Sequence, residues 1–222
     1  MGQEDSFPDS WTKENMVVFQ KKLPASLEEY HNQHRLSIEH RDDFWRLEGE
    51  RLKWDKKFTS VVIEDFSNTS ISWFSDGTLN PCRNVLDIPI ENGKGSERAL
   101  VYFRYDGNIQ SYNYLQLFEE VIHVADALKS EDYRAGDRVA LYMPDCPETV
   151  IFMLACSRLG IIYVPIPFYY TAEITSEIIH NSGASLLVTS RAVNHPSYET
   201  RSSAVVERVK EIKIVTIGEE ST

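Results

Sequence analysis

The sequence is poor in cations: Lys and Arg total 23 against 34 Asp and Glu, giving a net charge of -11. No Lys/Arg run is long enough to follow a phosphate backbone, so no nucleic-acid partner is expected. Cysteine is scarce as well. Cys82, Cys146 and Cys156 are scattered, odd in number and without a C-x-x-C pair, which argues against a disulfide framework and a zinc centre and fits a reducing, cytoplasmic setting. No apolar stretch reaches the roughly 18 residues a spanning helix needs, and the first residues lack the basic start and apolar run of a signal peptide. Phosphate-cradling loops are missing too, with neither G-x-x-x-x-G-K-[ST] nor a G-x-G-x-x-G after a strand. His123 has no Ser or Cys elbow motif beside it, and no carboxylate pair is spaced so as to share one site. No catalytic residue and no metal ligand is therefore assigned.

What is present falls into three parts. Residues 1–25 are polar and irregular, with Pro8 and Pro24, and read as a mobile arm. Gly2 with Ser6 fits the M-G-x-x-x-[ST] pattern of N-myristoylation. Residues 26–92 form a helical and wrapping segment. Leu27, Tyr30, His34 and Ile38, then Phe44, Trp45, Leu47, Leu52 and Trp54, recur at helical spacing and predict two short amphipathic helices. Trp45, Trp54, Trp73 and Phe74 are expected in a packed core.

Residues 93–222 carry a different rhythm. "RALVYFRYDGNIQSYNY" alternates and breaks at Asp106-Gly107-Asn108, which predicts a β-hairpin over 98–112. Ser111 is the expected cap of a helix whose apolar face is Leu115, Phe118, Ile122, Ala125 and Leu128. Apolar runs near 139–143, 161–167, 185–190 and 213–218 then alternate with helical stretches, the pattern of a parallel sheet covered on both faces. The fold class is α/β: an amphipathic helical and irregular first segment, a β-hairpin, then an incomplete doubly wound, mainly parallel sheet. Four such strands leave an unpaired, apolar border. The chain is accordingly expected to be a segment of a longer protein, or to self-associate or meet a partner through that edge.

Several blocks together resemble the N-terminal third of AMP-forming acetyl-CoA synthetases, acetate or propionate–CoA ligases of the adenylate-forming acyl-CoA ligase superfamily. They are "FWRLEGERLKW" (44–54), "ISWFSDGTLNPCRNVLD" (71–87), "SYNYLQLFEEVIHVADALKS" (111–130) and "AGDRVALYMPDCPETVIFMLACSRLG" (135–160). The resemblance covers 26–192, making 26–92 the family's N-terminal-type segment and 93–222 the first part of its AMP-binding α/β domain. It implies a parent enzyme that joins a short carboxylate to ATP with Mg2+, releases pyrophosphate and passes the acyl group to coenzyme A. The family's ATP-handling motifs come later in sequence than Thr222, so this chain alone is expected to bind no cofactor and to be inactive. Where the family has a glycine-bearing turn beside the pantetheine arm, this chain reads "PFYYT" (167–171). The resemblance thus sets Phe168, Tyr169 and Tyr170 beside the thiol path, and Arg191 as a contact for coenzyme A phosphates, with Arg201 the other arginine of that loop. The alternatives are a non-catalytic interaction module or degenerate paralogue and, among enzymes, an acetoacetyl-CoA or longer-chain ligase.

Overall fold

A computed structural model of the chain describes residues 26–104, 108–190 and 196–218. The expected arm at 1–25 with Gly2, the hairpin turn at 105–107 and Arg191 lie outside them. The chain divides into two compact units at Leu79/Asn80.

In the first unit Ser26 caps α1 (Leu27–Glu39) by accepting from the Glu29 amide, and α2 (Arg41–Glu50) follows at once. An antiparallel hairpin comes next, β1 (Val62–Asp65) with β2 (Ser70–Trp73). Its turn is built on Asp65, whose carboxylate accepts from the Ser67 and Asn68 amides, and it closes on Thr69 in the left-handed region at φ 51°. The core is a small aromatic knot in which Phe58 packs on Trp54 and Phe74, with centroids 5.0 and 4.6 Å apart. Gly77 is required there, since a Cβ would stand 2.6 Å from the Trp54 ring.

The expected core was too generous. Trp45 and Trp73 meet edge to face at 5.8 Å yet stay 38% and 43% exposed, and Leu27, Tyr30 and Ile38 are exposed as well. A two-stranded hairpin and two short helices offer too little facing surface to cover that many large side chains. Only Leu36 is buried on α1.

The second unit opens with a π-helical turn (Arg83–Asp87) and α3 (Ile88–Glu91), then the antiparallel pair β3 (Arg98–Phe103) and β4 (Ile109–Asn113). The division falls before the 92/93 boundary expected from sequence because Cys82 and Leu86 are buried in this unit's core. Helix α4 (Tyr114–Ser130) is capped by Asn113 in a reciprocal box with Gln116, not by Ser111. Its buried stripe is accordingly Leu117, Val121, Ala125 and Leu128, while Leu115, placed on the apolar face by sequence, is 47% exposed. Each large aliphatic side chain in that stripe contributes about 2 kcal/mol by burial.

Four parallel strands follow: β5 (Arg138–Met143), β6 (Ile162–Pro167), β7 (Leu186–Ser190) and β8 (Lys213–Ile217), in spatial order β6-β5-β7-β8. The crossovers are α5 (Pro147–Leu159), α6 (Ala172–Ser182) and α7 (Pro196–Arg208). Gly160 and Gly183 end α5 and α6 at φ 73° and 64°, where a side chain would be strained. Two separate cores flank the sheet. One joins Val121, Leu128, Leu141, Phe152 and Val188 on the α4/α5 side, and the other joins Ala140, Tyr142, Leu187, Tyr198 and Val205 on the α6/α7 side. This is the doubly wound α/β arrangement, with β6 and β8 as its borders. No helix of the described residues is long and apolar enough to cross a membrane.

Candidate functional site

In such a sheet the strand order reverses between β5 and β7, and a crevice beyond their carboxyl ends is the usual ligand position. Here a tyrosine bridges the two strand ends. The last β5–β7 pair is Tyr142 with Thr189. Just beyond it the buried Tyr198 hydroxyl donates to the Tyr142 carbonyl at 2.8 Å and accepts from the Ser190 amide at 2.9 Å. The phenol thus stands where one more rung of the ladder would be. Its single proton is committed to Tyr142, so the Thr189 hydroxyl, 2.8 Å away, donates to it, and Ser202, 2.6 Å from Thr189, donates in turn. Burial raises the Tyr198 pKa above its ordinary value, so the hydroxyl stays protonated and the chain of bonds stays polarised one way.

A second phenol fixes the neighbouring turn. Tyr142 points from β5 to the α6/α7 side, and its hydroxyl lies 2.9 and 3.1 Å from the carbonyls of Phe168 and Tyr170. Burial raises its pKa, partly offset by the charge and hydrogen bond of Arg201. Arg201, expected on a loop, lies instead on α7 and is turned inward against this phenol. Phe168 and Tyr170 pack half-buried beside the α6/α7 core, while Tyr169 is 62% exposed. Phe168–Tyr169 and Tyr169–Tyr170 meet edge to face at 5.8 and 5.3 Å. The structure brings the three aromatics together as one wall with a single exposed ring.

No activated nucleophile accompanies them. Cys146 precedes the first turn of α5, but burial pushes its thiol up to about 11, and Cys156 is pushed up to about 12. Among the described residues no three His, Cys, Asp or Glu side chains are grouped so as to hold a metal ion. A cavity of about 210 Å³ lies at the other end of the sheet, lined chiefly by Val124, Leu128, Phe152, Leu186 and Val215. Tyr133 and the ion-paired Glu131 and Lys213 also border it.

The sequence blocks meet in a structural pair that spacing alone did not reveal. Arg158 of "ACSRLG" reaches Asp87 of "NVLD" with both guanidinium ends, at 3.2 Å through Nη1 and more closely through Nη2. Asn80 donates to the Arg158 carbonyl at 3.0 Å, and the guanidinium stacks over Phe118 at 5.1 Å. Asp76 of "SDG" is equally structural: its carboxylate accepts from the amide and hydroxyl of Thr59 and from the Ser60 amide, which lowers its pKa to about 2.

Comparison with known proteins matches this architecture. Residues 91–221 fit the family model described as AMP-binding enzyme, and residues 30–85 fit the acetyl-coenzyme A synthetase N-terminus. Acetyl-coenzyme A synthetase of Deinococcus radiodurans is 35% identical over 174 residues, covering 78% of this chain and 26% of that protein. The enzyme of the same name from Shewanella pealeana is 41% identical over 139 residues, covering 61% and 21%. The chain thus spans about a quarter of the length of these curated relatives. Acetoacetyl-CoA synthetase from Streptomyces lividans superposes with a TM-score of 0.73 over 85% of this chain and 30% of that one, and at 20% identity it speaks for the fold alone. With both family models matched in order along the sequence, the chain belongs to the AMP-binding enzyme family.

Proposed function

We propose that this chain is the N-terminal portion of an AMP-forming acyl-CoA ligase of the acetyl-CoA synthetase kind. The observation that carries this is the 35% identity that runs across 174 residues, through the N-terminal-type segment and into the AMP-binding segment. On this reading the parent uses ATP, Mg2+ and coenzyme A, acts on a short carboxylate and works in the cytoplasm.

No glycine-rich phosphate loop occurs in the sequence, so on this reading the nucleotide contacts come from the rest of the parent. The contribution of this chain is scaffold and, at Phe168–Tyr170, one wall of the path by which the coenzyme A thiol reaches the acyl group. Arg191 is assigned to the coenzyme A phosphates. Arg201, held at Tyr142, is not available for them. The bulk of Phe168 and Tyr169 at that wall favours a second reading within the ligases, in which the carboxylate is acetoacetate or a longer chain.

The test is carboxylate-dependent release of pyrophosphate by a protein carrying this chain within a sequence of its relatives' length, with acetate, propionate, acetoacetate and octanoate compared. Turnover with acetate or propionate supports the first reading, and preference for acetoacetate or octanoate the second. No release with any carboxylate refutes both and leaves the non-catalytic interaction module.

A further inference from the structure

The aromatic turn at 168–170 is anchored on both flanks and tied to one phenol between them. On one side β6 stays in register with β5 to its last residue, Pro167 opposite Met143, and on the other Thr171 opens α6 by accepting from the Ile174 amide. The Tyr170 amide closes the bend on the Pro167 carbonyl at 3.0 Å. Within the bend the carbonyls of Phe168 and Tyr170 both meet the Tyr142 hydroxyl, at 2.9 and 3.1 Å. A phenol has one proton to donate, so the two carbonyls share it and a single oxygen sets the position of both. That oxygen stands on a rigid base. Tyr142 is fully buried on β5, which lies between β6 and β7, and its own carbonyl is taken by Tyr198. Of the three rings in the turn, Tyr169 faces out between two half-buried neighbours.

We propose that Tyr142 is a positioning residue for the thiol step, its hydroxyl holding the carbonyls of Phe168 and Tyr170 so that the wall they form with Tyr169 guides the arm of coenzyme A. The inference rests on the ligase reading and concerns its second half-reaction alone. There the coenzyme A sulfur bonds to the acyl carbonyl carbon, the bond from that carbon to the AMP phosphate oxygen breaks, AMP leaves with the electron pair and the thiol proton passes to water. The first half-reaction joins carboxylate to ATP on contacts from the rest of the parent, so it does not depend on this hydroxyl. Without the hydroxyl both carbonyls lose their inward partner, the bend is free to rotate, and the Tyr169 ring moves with it. A sulfur guided by a displaced wall is misplaced for attack, and small displacements are costly in such a step. Tyr198 acts differently. Its hydroxyl holds the Tyr142 carbonyl and not the turn, and its ring packs on Phe168 at 6.4 Å whether or not the oxygen is present.

The test uses a protein of the relatives' length that carries this chain, with the carboxylate it activates best. ATP–pyrophosphate exchange reads the first half-reaction, and thioester formation with varied coenzyme A reads the second. Tyr142→Phe keeps the ring and should raise the KM for coenzyme A about tenfold while exchange stays within about twofold of wild type. A merely structural role would lower both readouts by one factor, the fraction folded, and leave that KM unmoved. Tyr198→Phe is the comparison and should change the KM for coenzyme A less than about twofold. Should Tyr142→Phe fail to fold, Tyr169→Ala decides, since that ring is 62% exposed: it should show the same split. A wild-type protein silent in exchange with every carboxylate removes the ligase reading and this inference with it. Wild-type exchange removes the inference alone if it comes with an unchanged KM for coenzyme A in Tyr142→Phe or in its substitute Tyr169→Ala, with equal loss of both readouts, or with an equal rise in Tyr198→Phe.

Discussion

Replacing Tyr198 with Phe isolates the bridge between β5 and β7. The change removes one oxygen and keeps the ring, so packing against Tyr142 and Phe168 survives. Three buried groups each lose one hydrogen bond: the Ser190 amide, the Tyr142 carbonyl and the Thr189 hydroxyl. A buried polar group left without a partner costs about 1–3 kcal/mol, and the Thr189 hydroxyl can swing to recover one bond, so the net loss should be about 2–4 kcal/mol. For a unit of about 140 residues this lowers the melting temperature by about 6–12 °C. The assay has a built-in selectivity. All four tryptophans precede Asn80, so indole emission reports only the first unit, and the second is followed by its helix signal and by exchange at the Ser190 amide. Exchange there should speed by at least about tenfold. Thr189→Val, which leaves the phenol bridging both strands, should cost about half as much. A loss below about 0.5 kcal/mol for Tyr198→Phe, within the range of ordinary surface changes, would refute the bridging argument.

Three further outcomes are expected. The lowered Asp76 pKa means that its ionised form is bound better in the folded unit, so its contribution is full above the unfolded value near 4 and is lost as pH falls toward about 2; Asp76→Ala should flatten that acid limb in tryptophan emission. Asp87→Ala strands Arg158 in a setting where its side chain is only 21% exposed, and should cost about 2–3 kcal/mol by urea denaturation, whereas Asp87→Leu combined with Arg158→Met should cost less than the sum of the single changes. With its thiol at about 11, Cys146 is about one part in a thousand thiolate at pH 8, so a thiol reagent should label the native chain at least about 100-fold more slowly than the unfolded one.

The order of elements in the second unit was legible because apolar runs, turn residues and helical periods are local signals. The α4 cap was misread by two residues since Ser111 and Asn113 are both good caps. Only the reciprocal bond with Gln116 chooses between them, and a two-residue shift swings the apolar stripe from Leu115 to Leu117. The first unit was overcounted as core because helical spacing of aromatics says which side chains share a face, not whether anything lies opposite. The site was legible only as a turn, Pro167 to Thr171. What holds it, Tyr142 from β5 and Tyr198 from α7, comes from strand and helix positions whose hydroxyls have no sequence signature, and the pairing of Asp87 with Arg158 joins residues 71 apart.

The central claim is that this chain supplies framework and acyl-path wall while ATP chemistry belongs to polypeptide beyond it. The most direct measurement is ATP–pyrophosphate exchange with a carboxylate panel, run on the 222-residue chain and on a protein of the relatives' length that contains it. The account expects exchange by the long protein and none by the chain alone. Exchange by the isolated chain, or silence from the long protein with every carboxylate, would contradict it.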